Sequence, residues 1–155
     1  FASKVAKIKS LMPDAFIGVD VIVGTRGEMP EYFEKAYKFI EELDITQLHV
    51  FSYSERPGTQ ALKIDYIVSP EDKHARSQRL LALSDEKLKA FYSRHIGHEA
   101  VVLMEHSKPG VPMHGFTDNY IRVELDHDDG LDNRLVHVRL GGFNEDGTAL
   151  KGILL

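Results

Sequence analysis

The chain has 155 residues, of which 43% are hydrophobic and 28% charged, and it contains no cysteine. This is a soluble globular composition of one or two domains. No apolar run nears the ~20 residues of a membrane span, and disulfides, thiolate metal sites and cysteine nucleophiles are excluded within these residues. Residues 1–98 carry 14 Lys/Arg against 14 Asp/Glu, whereas residues 99–155 carry 5 against 10. An acidic last third disfavours strong electrostatic binding to nucleic acid or to an anionic membrane. The chain begins at Phe1 with no basic-then-apolar leader, which reads as a partial or processed chain without a signal peptide.

In chain order, Val5, Ile8 and Met12 at helical spacing predict a helix that Pro13 and Asp14 stop. Residues 16–24 are short, β-branched and almost wholly apolar, which predicts a parallel strand covered on both faces. Gly24, Gly27 and Pro30 bracket a strand-to-helix loop, and Phe33, Ala36, Tyr37 and Ile40 form the stripe of the helix that follows. Residues 47–53 predict a second strand, completing a βαβ unit. Residues 54–69 read as a long functional loop. Ser69-Pro70-Glu71-Asp72 starts a helix that runs to about His95, with Leu81, Leu88, Phe91 and Tyr92 apolar and Ser84-Asp85-Glu86 able to re-cap or kink it. Its six basic residues between Lys73 and Arg94 form a stripe that either meets phosphates or is simply solvated. Beyond residue 99 the period falls to two. Strands are predicted at 101–104, 121–125, 135–140 and 153–155, and turn signals at 108–110, 128–130 and 144–147 separate them. Short strands on regular turns predict a small β-barrel of roughly five strands, of the oligonucleotide-binding type.

Among the chemistry-bearing residues, Gly24 and Gly27 read either as turn geometry or as a backbone approach to a ligand. Tyr53 and Arg56 lie where parallel strands end, which is where ligand crevices form. A metal site from His95, His98 and His106 or His114 fits no strong spacing motif, and Asp126, Asp128, Asp129 and Asp132 read as a solvated loop.

Three segments, Asp20-Val21-Ile22-Val23-Gly24-Thr25-Arg26-Gly27-Glu28, Phe51-Ser52-Tyr53-Ser54-Glu55-Arg56-Pro57-Gly58-Thr59 and Gly115-Phe116-Thr117-Asp118-Asn119-Tyr120-Ile121-Arg122-Val123, resemble the radical-SAM methylthiotransferase family. Within it they look most like the MtaB branch, which methylthiolates N6-threonylcarbamoyladenosine beside the tRNA anticodon. The branches acting on isopentenyladenosine or on a ribosomal-protein aspartate are the alternatives. A non-catalytic RNA-binding module and a plain protein-interaction domain are the alternatives of another class. The resemblance implies the last βα units of a partial (β/α) barrel in 1–68, a connecting helix in 69–97 and a five-stranded TRAM barrel in 98–155. It implies a cytoplasmic enzyme that uses S-adenosylmethionine and two [4Fe-4S] clusters, whose cysteines are absent here, so that this chain alone should be inactive. By the same resemblance, Asp20, Val23, Gly24, Gly27, Glu28, Phe51, Tyr53 and Arg56 would face S-adenosylmethionine. Lys108, Asn119, Tyr120, Arg122, Arg134 and Arg139 would face tRNA, with helix 70–95 sharing the electrostatic work. The sequence departs from the family at Thr25-Arg26, where Phe-Pro is usual, and at Met29, where Thr is frequent. A barrel remnant with an open sheet edge is also expected to self-associate through residues 16–54.

Overall fold

The computed structural model describes residues 1–155, which divide into two compact units, Phe1–Leu88 and Lys89–Leu155.

In the first unit, helix α1 (Ala2–Leu11) precedes strand β1 (Gly18–Val23), helix α2 (Pro30–Glu42) and strand β2 (Gln47–Ser52), and α3 (Pro70–Arg94) follows. β1 and β2 pair in parallel from Gly18↔Gln47 to Val23↔Ser52, so the βαβ reading holds. One face of the pair is packed. Val23 and Leu48 join Val5 of α1, Phe33 of α2, and Leu80 and Leu83 of α3 in a single core, with Val19, Val21 and Val50 against it. The other face is open, contrary to the strand covered on both sides: Ile22 is 58% and Phe51 53% exposed. The covered parity of β1 is Val19, Val21 and Val23, whereas the open parity is Gly18, Asp20 and Ile22, and the helices that pack on this two-stranded sheet join one core.

The helix faces also sharpen the reading. Ala36 is exposed on α2, and on α3 Leu80 and Leu83 are buried while Leu81 is exposed. Ser69 caps α3 by accepting the Asp72 N–H at 3.0 Å. Ser84 does not re-cap that helix, which runs unbroken past it. Its buried hydroxyl accepts the Leu48 N–H at 2.9 Å and donates to the Leu48 carbonyl at 3.1 Å. These Leu48 groups point away from β1, so one side chain closes the outer edge of the sheet where bare buried groups would cost about 1–3 kcal/mol each. Lys87 similarly binds the Glu41 and Leu43 carbonyls at the end of α2, at 2.9 and 2.8 Å.

The second unit begins with the last turns of α3 and continues as a closed five-stranded barrel. Its strands are β3 (Glu99–Met104), β4 (Met113–Thr117), β5 (Arg122–Leu125), β6 (Leu135–Phe143) and β7 (Leu150–Leu154), in the order β3-β4-β5-β7-β6. Pairing of β3 with β6 closes the ring, and β5 pairs with β7 in parallel. Alternate residues fill the interior, among them Val102, Met104, Met113, Val123, Val138, Leu140 and Leu150. β4 carries no strand signal of its own because Gly115 interrupts its alternation.

Candidate functional site

The tips of β1 and β2 lie side by side, and the Tyr53 N–H donates to the Val23 carbonyl at 2.9 Å. Beyond β1 the chain turns through Gly24 and Gly27, at φ +78° and +83°. Gly24 is buried, and a Cβ there would press into the Lys73 stem, so the position demands glycine on two counts. Glu28 returns from the start of α2 and accepts the Gly24 N–H at 2.8 Å. The same carboxylate pairs with Arg76 of α3 at 2.7 Å, and Arg76 also donates to the Glu28 carbonyl at 2.7 Å. The Arg76 guanidinium lies over the Phe33 ring. Both charged side chains are mostly buried, and each satisfies the other. Arg26 donates to Glu55 at 2.6 Å and to the Leu62 and Ile64 carbonyls at 2.9 and 3.1 Å. Its hydrogen bond and charge hold the Glu55 carboxyl below the usual carboxylate range. Met29 precedes α2 without a side-chain cap. Lys73 crosses from α3 to lie 3.4 Å from the Tyr53 carbonyl and 5.5 Å from the centre of its ring.

These contacts sort the residues of the strand-tip motifs. Asp20 and Phe51 stand on the open sheet face, Asp20 opposite His49 and Phe51 opposite Ile22. Tyr53 is half-buried at the tip and Arg56 is exposed beyond it. Val23 is a core residue that offers only its backbone, and Glu28 is occupied as the clamp of the loop. Over its first half the basic stripe of α3 is engaged within this unit, although Arg79 stays exposed. Lys73 and Arg76 hold the loop, and Arg79 pairs with Glu34 and stacks on Phe33 and Tyr37. The i, i+3 spacing that makes the stripe also aims it at α2 and the strand tips. Lys73, Arg76 and Arg79 therefore carry roles that charge counting alone assigns to solvent.

In the barrel unit, Lys108 and Arg134 are exposed, and Arg139 is paired with Glu99 at 3.0 Å. The Asn119 carboxamide is used internally: it accepts from Thr117 Oγ1 at 2.7 Å, and its Nδ2 lies 3.4 Å from His95 Nε2. His95, buried, donates from Nδ1 to the Phe91 carbonyl at 2.8 Å. Burial raises the Tyr92 phenol above its ordinary value. Its oxygen accepts the Arg122 N–H at 3.0 Å.

Fold and site together define an α/β unit with two adjacent parallel strand tips, joined in one chain to a small closed barrel of the oligonucleotide-binding type. Compared with known proteins, the chain is 35% identical over 147 residues to the threonylcarbamoyladenosine tRNA methylthiotransferase MtaB of Bacillus subtilis, covering 90% of this chain and 32% of that protein. It is 34% identical over 135 residues to a tRNA-2-methylthio-N(6)-dimethylallyladenosine synthase of Symbiobacterium thermophilum, covering 86% and 29%. It is 33% identical over 123 residues to MtaB of Rickettsia prowazekii, covering 77% and 27%. Over most of its own length the chain is thus similar to tRNA methylthiotransferases, in keeping with the resemblance its three motifs carry. It spans about a third of the length of the curated relatives it matches. No protein-family model matches the chain. No helix is long and apolar enough to cross a membrane.

Proposed function

We propose that the chain supplies the cofactor-facing strand tips and the RNA-holding barrel of a tRNA methylthiotransferase acting on N6-threonylcarbamoyladenosine beside the anticodon. In this reading residues 1–68 are βα units of the catalytic barrel, 69–97 the connecting helix and 98–155 the TRAM barrel, and the enzyme works in the cytoplasm. The observation that carries it is the adjacency of the Gly24 and Tyr53 tips beside an open face of Asp20, His49, Ile22 and Phe51. That donor set fits S-adenosylmethionine: Ile22 and Phe51 offer apolar surface to the adenine, Asp20 an acceptor for hydroxyl or amino protons, and Arg56 a cation for the carboxylate. Held by these residues, S-adenosylmethionine would supply radical chemistry at the target, with the electron for its cleavage coming from a cluster carried outside this chain. The Gly24–Glu28 loop, held by Glu28 and Arg76, keeps the tip in place, while Gly27 gives the loop its left-handed turn. This chain has no cysteine and therefore no thiolate for a cluster, which is the ground for expecting no activity from it alone. Lys108, Asn119, Tyr120, Arg122, Arg134 and Arg139 mark the RNA side of the barrel, with Asn119 acting through the turn it braces.

Deleting the gene should remove the 2-methylthio group from threonylcarbamoyladenosine in tRNA, read by mass spectrometry of digested nucleosides. Loss from isopentenyladenosine instead selects the second reading, which the relative from Symbiobacterium favours. Unchanged tRNA nucleosides defeat both. In the isolated chain, the exposed apolar face within residues 16–54 should draw copies together. Sedimentation velocity should show a coefficient that rises with concentration. A concentration-independent monomer counts against this association.

A further inference from the structure

The outside of the barrel carries an apolar row that the reading above does not use. Leu135 of β6 faces Leu103 of β3, Leu103 faces Phe116 of β4, and Phe116 faces Arg122 of β5 in successive register pairs. Leu135, Leu103 and Phe116 are 69%, 48% and 37% exposed. Four neighbouring strands make this a continuous strip about 15 Å long.

At its β4–β5 end stands Tyr120. Its ring lies 6.3 Å from that of Phe116 and the residue is 65% exposed. Its φ is +62°, a left-handed conformation that an aromatic residue seldom adopts. Such a conformation persists where the surroundings over-determine it, and such sites cluster at ligand-contacting positions. Here the bracing is explicit. Thr117 Oγ1 accepts the Ile121 N–H at 2.9 Å and donates to Asn119, which His95 backs from the other side. The Tyr92 hydroxyl lies 3.4 Å from the Tyr120 carbonyl and accepts the Arg122 N–H. Every one of these bonds fixes the turn and leaves the ring outside.

We infer that this row, Leu135-Leu103-Phe116 with Tyr120 and Arg122, takes unstacked bases of a single-stranded RNA loop by stacking rather than by pairing phosphates. The inference rests on the tRNA reading and deepens it. Two rings and a planar guanidinium suit flat bases, and every base has a π face. The net charge of residues 99–155 is minus five, which argues against a phosphate-driven grip. RNA is preferred over a protein partner because the relatives' printed activities are on tRNA.

The test is fluorescence anisotropy of the full chain with an unstructured RNA of ~10 nucleotides and a blunt duplex of equal length, across salt. The single strand should bind more tightly. Its salt slope should be shallower than about −1.5, the value for some two neutralised phosphates. Phe116→Ala and Tyr120→Asn should each weaken it by about fivefold or more. Asn tolerates left-handed backbone, so Tyr120→Asn should keep or raise the melting temperature, and misfolding cannot explain the loss. Unchanged affinity in both variants, a steep slope with equal duplex binding, or loss of a protein partner with RNA binding intact overturns the inference and leaves the tRNA reading standing. Absence of binding to any RNA, tRNA included, overturns both.

Discussion

Replacing Arg76 by methionine is expected to destabilise the Phe1–Leu88 unit by about 3–5 kcal/mol, among the largest effects of a single substitution. The reason is what it leaves behind. The Glu28 carboxylate, only 15% exposed in its side chain, loses a partner at 2.7 Å and keeps a single N–H from Gly24. The Glu28 carbonyl loses its bond as well. Glu28→Ala should be nearly as costly, because it strands the Arg76 guanidinium and bares the Gly24 N–H. The double variant Glu28→Gln/Arg76→Met should recover much of the loss. Glutamine still accepts from Gly24, methionine fills the space over Phe33, and no charge remains buried. Urea unfolding of the wild type, Arg76→Met, Glu28→Gln and the double variant closes a double-mutant cycle, with a coupling of about 1–3 kcal/mol expected. Purely additive losses would show that the two groups act separately and that the loop at the strand tip is held by something else.

That clamp marks where sequence reading stops. The order strand, helix, strand was legible because Phe33, Tyr37 and Ile40 keep a helical period while residues 18–23 and 47–52 are short and β-rich. The start of α3 was legible because a Ser cap and a following Pro have local meanings. The barrel was legible from alternation, except β4. What was not legible is which neighbour each polar side chain meets. Arg76 and Lys73 count as surface charges on a helix until α2 and the strand tips are in place beside them. Ser84 looks like a break in a helix until the edge of β2 lies against it. Asn119 looks like an RNA contact until His95 and Thr117 are found to use its carboxamide. Glu28 and Arg56 read alike as ligand residues, yet only Arg56 is exposed. Period and punctuation report the local chain, whereas these pairings, the local Thr117–Asn119 bond apart, join residues 20 to 48 positions apart and exist only after folding.

The glycine of the Gly115-Phe116-Thr117 segment gives the second large effect, in the other unit. Gly115→Ala should destabilise the barrel by about 3 kcal/mol. This position needs no unusual backbone angle. It needs room: a Cβ would collide with the Leu103 carbonyl oxygen and lie 2.8 Å from Val102 Cγ1. Both belong to β3, which pairs with β4 through Met104↔Gly115. A side chain can swing aside, but a ladder carbonyl cannot move without loosening the strand pair that helps close the ring. For a unit of this size the melting temperature should fall by about 12–20 °C. Gly142→Ala is the matched control. It lies on β6 with nothing within 4 Å of a new Cβ, and should change stability by less than about 0.5 kcal/mol. Adding Val102→Ala to Gly115→Ala should not restore stability, because it removes the methyl contact and leaves the carbonyl. Thermal unfolding followed by circular dichroism distinguishes these cases. Equal melting temperatures for the Gly115 and Gly142 variants, or full rescue by Val102→Ala, would mean that β3 and β4 are not held at the spacing that closes the barrel.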